Sequence, residues 1–487
     1  MRLRYSIGPR GIGARYRASR DISSSYVADG DARRAWTDAE VVLVAVAAWV
    51  GALLGSPVPV PIGVASVSIA IVRRGALGAA CGTLLLASGL AWRSLDGLRP
   101  PAPGPVAGTA ELLSDPAPRG SGVSVLVRIG QRRYVIDGYG TAARRLRHRQ
   151  AGDLVWVTGR VVRLSATESS RLRAQHVVAR IDPGQITDLR SASALARASN
   201  RLKELFTRSS AHMPADEQAL FMGLVIGDDR NEPPPMVAAF RRTGLSHLTA
   251  ASGQNVAFLL LVTAPLLRRL RPTSRWLASL GVIAWFAVLT RFEPSVIRAA
   301  VMAALSATAF WRGWSASPLR LLALAVTACL LIDPLLVWSV GWQLSVGATA
   351  GISLLARPLA DRMPGPRWLA ESIGVALAAQ IGVMPVELLV FGSVPAVSLP
   401  ANLLAVPVAG MVMAWGIVAG VVGGSLPIVA PVVQLPSVIG VRWVIAVVRL
   451  AARLEPGWPP WFGAGLHVLV IGSVLARRNR ASVVGPR

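Results

Sequence analysis

Long runs of apolar residues, separated by short polar segments, occupy most of the chain. Three of these runs, Val41–Gly55, Ile62–Val72 and Gly75–Trp92, lie before residue 100. Nine more follow; they cover 247–267, 276–291, 295–311, 319–332, 336–356, 369–389, 397–422, 428–450 and 461–476. Many of the runs approach or exceed the ~18 residues that a helix needs to cross a bilayer. The pattern predicts a polytopic α-helical membrane protein.

The periodicity changes between the third and the fourth apolar run. A proline-rich linker leads into short β-rich runs, such as VSVLVRI and DLVWVTGRVVRL, which lie between Gly122 and Asp182 and are separated by Gly, Asp and Arg turns. Four or five such strands predict a small inserted β-barrel, for which an OB-like barrel is the first expectation. The predicted division is therefore an Arg-rich N-terminal tail (1–40), three helices (41–96), an OB-like domain (104–186), an amphipathic helical segment (190–243), a membrane domain (244–476) and a tail (477–487).

Charge adds an orientation to this arrangement. Charged residues make up 16% of the 487 residues, yet the formal net charge is +26, and Lys203 is the sole lysine. The arginines concentrate in alternate loops between the apolar runs, as positive cytoplasmic loops do. We therefore expect twelve spans in the inner (plasma) membrane, with both termini cytoplasmic and the barrel outside.

The barrel carries more positive charge than this topology requires. Residues 121–186 contain twelve arginines and four acidic residues. A basic surface with aromatic rings is typical of proteins that bind single-stranded nucleic acid, because arginines contact phosphates and rings stack on bases. The alternative is that the arginines solubilise a small barrel beside anionic headgroups. The candidate DNA-binding residues are Arg128, Arg132, Arg133, Arg160, Tyr134 and Trp156.

Polar residues within the apolar half form a second candidate site. The stretch GLSHLTAASGQNV, residues 244–256, places hydrogen-bonding and small residues at the mouth of a membrane helix, with a bend expected at Ser252-Gly253. Irregular backbone at membrane depth is tolerated only where it is buried in protein or lines water. Arg298 either snorkels to the outer interface or faces a wet interior. The predicted pore residues are Ser246, His247, Ser252, Gln254, Asn255, Arg298, Gln343 and Asn402.

Motifs for catalysis or metal binding are not expected in this chain. Its five histidines show no ligand spacing, so we predict no metal, no cofactor and no catalytic residue. Two alternatives remain open. One is a multi-pass transporter in which Arg298 binds a small or lipid-linked anion, and the other is a membrane-embedded hydrolase that uses His247 and Ser252.

The segment 244–256 and several other stretches resemble the ComEC family of competence channel proteins. The family signature GLSHLLAISGLHV stands here as GLSHLTAASGQNV. Further matches, in the same order as in the family, are Gly227-Asp228, PSVIRA (294–299), Asp333-Pro334, GWQLS (341–345) and SLPANLLAVP (398–407). The resemblance implies an inner-membrane channel that passes single-stranded DNA into the cytoplasm during natural transformation, together with an outer OB-like domain. It also implies other competence proteins as partners: a DNA receptor, a cytoplasmic helicase or translocase, and a nuclease.

Two departures from the family change what is expected. Gln254-Asn255 replace the Leu-His of the signature, so we expect no catalytic or proton-relay role at that position. Many family members also carry a C-terminal metallo-β-lactamase-like domain with an HxHxDH motif, which this sequence lacks. We therefore expect this form to lack that domain and the nuclease to be a separate protein.

Overall fold

The computed structural model describes residues 36–73, 75–190, 193–249, 253–455 and 460–476. The first helices are α1 (Asp38–Leu54), α2 (Val60–Val72) and α3 (Ala76–Asp96), and α3 packs against both of the others. Most of the predicted N-terminal tail and all of the predicted tail 477–487 lie outside the described residues.

A closed β-barrel follows α3. Its elements are β1 (Gly104–Leu112), β2 (Ala117–Arg119), β3 (Gly122–Ile129), β4 (Arg132–Gly138), α4 (Gly140–Arg147), β5 (Leu154–Val162), α5 (Ala166–Leu172) and β6 (Val177–Arg190). Five strands close in the order β1-β5-β6-β4-β3-β1, and β2 extends β3 as a short edge strand. Only the β4–β6 pair is parallel. This five-stranded barrel is OB-like, as the sequence predicted.

The barrel core follows from alternation along its strands. Val125 and Val127 on β3 and Val155 and Val157 on β5 point inward and are almost fully buried. The residues between them face outward, as the two-residue period of a strand requires. The strands begin earlier than expected, because β1 starts at Gly104 and its first part has a small-residue sequence, GPVAGTAEL.

Three helices connect the barrel to the membrane domain: α6 (Ala194–Ser209), α7 (Ala215–Ile226) and α8 (Pro234–Arg242). The first and third are amphipathic, whereas α7 is apolar and is buried from Ala219 to Ile226. The membrane domain comprises α9 (Gly253–Leu267), α10 (Pro272–Leu289), α11 (Pro294–Arg312), α12 (Pro318–Ile332), α13 (Val340–Ala360), α14 (Arg367–Phe391), α15 (Ser398–Ser425), the short α16 (Ala430–Val433), α17 (Leu435–Leu454) and α18 (Pro460–Ala476). Pro272, Pro294 and Pro318 stand in the first turn of their helices, where the missing N–H has no intrahelical partner to lose.

Each predicted apolar run contains a helix, although α13 and α17 start four and seven residues after the beginnings of their runs. In one of these runs, a 3₁₀ turn (Pro334–Trp338) precedes α13. Among the described residues, six helices are long and apolar enough to cross a membrane: α3, α10, α11, α14, α15 and α17. Four shorter apolar helices accompany them. The protein is thus a polytopic helical membrane protein with an inserted barrel.

Small residues allow the closest helix contact in the membrane domain. Gly347 and Gly351 on α13 face Ala378 and Gly382 on α14. A methyl group added at Gly351 would lie 2.1 Å from the Ala378 carbonyl oxygen. This small-residue spacing lets two membrane helices approach backbone to backbone.

Candidate functional site

The polar segment that follows α8 joins two parts of the membrane domain. It begins at Gly244, whose φ is +73°, and continues into a 3₁₀ turn, Ser246–Leu248. The helix α9 is described from Gly253 onward, and Ser252 lies outside the described residues. A methyl group at Gly244 would lie 2.9 Å from Cβ of Ser398, and one at Gly253 would lie 2.9 Å from Nη2 of Arg298. The two ends of the segment therefore touch different helices, α15 and α11.

Arg298 is the one arginine among the predicted pore residues, and it is buried. Its residue is 6% exposed, its Nε donates to Ser345 Oγ at 2.9 Å, and its Nη1 lies 2.9 Å from Met302 Sδ. Among the described residues, Arg298 forms no ion pair with a carboxylate. The side chain therefore faces the helix bundle and does not snorkel. A buried guanidinium of this kind is costly in a membrane and marks a candidate anion contact.

A cleft of about 680 Å³ extends from Arg298 between α9, α10 and α11. Arg268 and Arg275 line it as well, and most of its other lining residues are apolar. The 15 residues of α9 rise about 22 Å along it. Of the seven predicted pore residues that the structure describes, Arg298 alone lines the cleft, so these seven do not converge on this surface.

The other predicted pore residues lie in separate environments. Ser246, His247 and Gln254 are exposed, and His247 Nδ1 lies 3.3 Å from its own segment's Gly244 oxygen. Asn255 is buried, and its amide donates to the Leu224 carbonyl at 3.3 Å.

Gln343 and Asn402 bond to their local backbone. Gln343 Nε2 donates to the Val337 carbonyl at 2.8 Å, and Asn402 Nδ2 donates to the Ser398 carbonyl at 2.8 Å. These two side chains satisfy neighbouring carbonyl groups at the starts of α13 and α15.

A second polar cluster surrounds the start of α15. Ser398 Oγ lies 3.1 Å from His467 Nε2, and Gln380 Nε2 donates to Glu387 Oε2 at 2.7 Å. His467 Nδ1 donates to the Gly463 carbonyl at 2.7 Å, which leaves Nε2 of a neutral ring to accept from Ser398. Ser398 and His467 are 1% and 2% exposed, so this serine–histidine contact is enclosed by protein. Gln380 and Glu387 stand out in the sequence as intramembrane polar residues, whereas the partnership of Ser398 with His467 does not.

The outer face of the barrel brings several predicted DNA-binding residues together. Arg128 on β3 lies opposite Arg133 on β4 and opposite Glu111 on β1, to which its guanidinium bonds. Trp156, 40% exposed, lies opposite Thr109 on β1. The face therefore combines arginines with one accessible ring.

The remaining predicted barrel residues are less uniform. Arg160 is exposed four residues beyond Trp156 on β5, about 13 Å along the strand. Arg132 is exposed at the β3–β4 turn. Tyr134 is 7% exposed and packs in the barrel core, so its ring is not available for stacking. Tyr139, another aromatic residue of the barrel, is 58% exposed.

Ion pairs fasten the loop after β1 to the helices. The Asp115 carboxylate lies 2.7 Å from Lys203 Nζ, 3.6 Å from Arg291 and 3.8 Å from Arg230, and it accepts from the Ala151 amide at 2.8 Å. Burial alone would raise the pKa of Asp115, but the three cations hold it well below its usual range. Lys203 on α6 is thus part of a buried ion-pair cluster around Asp115.

The loop between β5 and β6 also contacts the membrane domain. His176 Nε2 lies 3.0 Å from both oxygens of Asp333, and the Arg173 guanidinium lies 4.7 Å from the centre of the Trp338 ring. In OB folds, the loops after the first and fourth barrel strands commonly contact oligonucleotides. Here both loops contact helical elements, so the strand face described above is the better candidate surface for nucleic acid.

Glu232 is a buried carboxylate beside the polar segment. It is 8% exposed, and its Oε1 has no hydrogen-bond partner among the described residues. Burial, reinforced by the nearby Asp229, raises the pKa of Glu232 to about 8, while a hydrogen bond from Thr249 opposes the rise. The side chain is therefore mainly protonated at neutral pH. Sequence spacing did not point to it.

Comparison with known proteins covers the membrane domain. The model of the competence protein family matches residues 224–480, which is more than half of the chain. The chain belongs to the competence protein family. It is 27% identical over 227 residues to ComE operon protein 3 of Bacillus subtilis (strain 168), a match that covers 46% of this chain and 29% of that protein. It is 28% identical over 209 residues to the competence protein ComA of Neisseria gonorrhoeae, covering 40% of this chain and 29% of that protein.

The matched part of this competence protein is limited. It spans less than a third of the length of those relatives, and the same holds for the protein YcaI of Escherichia coli (strain K12), which is 29% identical over 231 residues and covered over 29% of its length. No solved structure matches the chain. The family match includes the polar segment, Arg298 and the second polar cluster, whereas the barrel lies before it.

Proposed function

We propose that this competence protein forms the membrane passage for single-stranded DNA during natural transformation. Membership of the family supports a role in DNA uptake. The observation that carries the finer proposal is the buried Arg298 guanidinium, held beside Gly253 at the end of the signature segment without a described carboxylate partner. Its fixed charge and donor fork suit a phosphodiester that passes the helix bundle.

The barrel face would bind the incoming strand first. Arg128, Arg133 and Arg160 would contact phosphates, and the exposed ring of Trp156 would stack on a base. The two docked loops support this assignment, because they hold the barrel against the helices while the strand face stays open. Binding of this kind is independent of base sequence and falls steeply as salt rises.

The topology that this function needs places the barrel outside and both termini in the cytoplasm. The alternating arginine loops support that orientation. The proposed partners are single-stranded DNA, the bilayer and other competence proteins: a DNA receptor, a cytoplasmic helicase or translocase that supplies work, and a separate nuclease. In this proposal the chain guides DNA and performs no chemistry on it.

A specific observation favours a second candidate function, the transport of a lipid-linked anion. The cleft next to Arg298 is lined mainly by apolar side chains. Such walls suit an acyl or isoprenoid chain better than a hydrated polyanion, and Arg298 would then bind the anionic group.

A deletion strain complemented with variants tests the proposed function. Arg298→Gln should lower the entry of labelled DNA into the cytoplasm while surface-bound DNA stays at the wild-type level. His247→Gln should have a milder effect, because the hydrogen bond that His247 makes in the described structure is to Gly244 of its own segment. The matched control is Arg357→Gln, which removes an exposed arginine elsewhere. Normal DNA entry in the Arg298→Gln strain, at wild-type protein levels, would contradict the passage role of Arg298.

A further inference from the structure

The cleft between α9, α10 and α11 has an arginine at one end and a basic, aromatic cluster at the other. Arg298 lies in the second turn of α11, and Phe310 lies 12 residues later, about 18 Å along the helix. Arg268 and Arg275 line the cleft near Phe310. We call this second region the basic end of the cleft, and it is chemically distinct from the Arg298 end.

Positive charge at the basic end is not balanced by nearby acids. Residues 264–292 include no Asp or Glu. Within the described part of the chain, Arg268, Arg275 and Arg312 form no ion pair with a carboxylate. Arg275 instead lies 5.1 Å from the centre of the Phe310 ring, and Arg312 lies 5.4 Å from that of Trp311. These guanidinium groups retain donors for an anion.

The basic end carries tryptophans beside its arginines, as membrane proteins do at the interface with water. Trp276 and Trp311 stack with ring centres 4.6 Å apart and planes 11° apart. Trp276 Nε1 donates to Thr308 Oγ1 at 3.1 Å. Tryptophan and arginine together mark the level of the lipid headgroups in membrane proteins. The basic end therefore has the composition of a helix end at headgroup depth.

The interior of the cleft is apolar from the basic end toward Arg298. Leu260 and Ala264 on α9 face Ala303 and Ala307 on α11 across it. The alanines leave space that larger side chains would fill, and the space is continuous with the basic end. An elongated apolar groove that leads from a cationic end fits an acyl chain with an anionic headgroup.

We propose that the cleft binds one anionic phospholipid. Its headgroup phosphate lies between Arg268 and Arg275, and one acyl chain extends between α9 and α11 toward Arg298. Basic pockets between membrane helices recognise anionic lipids through this combination of charge and apolar contact. The bound lipid would tie α9 to α11, the two helices that approach each other at Gly253 and Arg298.

Lipid binding to the full-length protein in detergent tests this inference. Native mass spectrometry counts bound 1-palmitoyl-2-oleoyl phosphatidylglycerol during a titration, with the phosphatidylethanolamine of the same chains as the zwitterionic comparison. Arg268→Gln/Arg275→Gln should weaken phosphatidylglycerol binding about 30-fold, because each arginine near a headgroup contributes about a fivefold gain in affinity. The matched control is Arg357→Gln/Arg362→Gln, which removes one exposed and one half-buried arginine at the end of α13 and should bind normally.

A second variant tests the apolar part of the site. Ala303→Phe keeps both arginines but places a ring in the cleft, so it should also weaken phosphatidylglycerol binding. Glycerol 3-phosphate, which has the phosphate without acyl chains, should not compete. Each variant is first shown to elute as one species with the wild-type melting temperature.

Three results would overturn the proposal. They are unchanged phosphatidylglycerol binding by the Arg268→Gln/Arg275→Gln variant, equal binding of phosphatidylethanolamine by the wild type, and displacement of the lipid by glycerol 3-phosphate. None of these measurements uses DNA, so the lipid site can fail while the DNA passage stands.

Discussion

Replacement of Asp115 by asparagine should loosen the barrel from the helices. The change removes the charge that pairs with Lys203 at 2.7 Å, Arg291 at 3.6 Å and Arg230 at 3.8 Å. Asparagine can still accept from the Ala151 amide, so the variant tests charge more than hydrogen bonding. Removing one partner of a buried ion pair costs about 3–5 kcal/mol, because the remaining charges stay buried. The lower figure applies here, since Asp228 still lies near Lys203 and Arg230.

Hydrogen exchange of the purified protein measures this loss. A cost of about 3 kcal/mol raises the population of the undocked state about 100-fold, so amides in 113–121 and 148–153 should exchange correspondingly faster. Asp361→Asn, at an exposed position, is the matched control and should leave exchange unchanged. Exchange in the Asp115 variant within about threefold of wild type would refute the assignment of docking energy to this ion-pair cluster.

Three further predictions concern other parts of the molecule. The wild type should lose stability as pH rises from about 4.5 to about 8, because the folded state must ionise Glu232 against its raised pKa. Glu232→Gln should remove a few kcal/mol of this pH dependence. If the melting temperatures of both proteins shift equally between pH 6 and pH 8.5, this prediction is wrong. Trp156→Ala should weaken binding of a fluorescent single-stranded oligonucleotide by about 1–3 kcal/mol in a titration at low salt. Unchanged affinity would show that the Trp156 ring does not contact the strand. Gln131 is exposed and can be replaced by cysteine in a background where serine replaces Cys81 and Cys329. This cysteine should react with an impermeant reagent on intact cells. Labelling only after lysis would place the barrel on the cytoplasmic side and contradict the proposed topology.

Local periodicity predicted most of the fold. The pattern of apolar residues along each barrel strand and each apolar run reflects the burial of that element. It can be recognised from residues close together in the sequence. The strand β1 was missed because GPVAGTAEL is rich in small residues and has little β propensity; its conformation is imposed by pairing with β5 and β3. The close approach of Gly253 to Arg298 joins residues 45 positions apart, and no local pattern reveals it.

The candidate sites were predicted less completely because they depend on long-range contacts. Lys203 and Asp115 are 88 residues apart, and the contact between them appears only after the barrel docks. Tyr134 was expected at the surface, but the alternation along β4 turns it into the barrel core. Arg298 was recognisable because an arginine in an apolar run is costly wherever it points. Its surroundings, Ser345 and Met302, come from different turns and helices and needed the structure.

Photocrosslinking of DNA in transit tests the central claim most directly. A photoreactive amino acid replaces Met302, whose sulfur lies 2.9 Å from Arg298 Nη1, and irradiation follows the addition of labelled DNA to competent cells. The control replaces Met411, which is 63% exposed on α15. If Arg298 lines the passage, labelled single-stranded DNA should crosslink at position 302 and not at position 411. The absence of DNA crosslinks at position 302, in cells that take up DNA normally, would contradict the account.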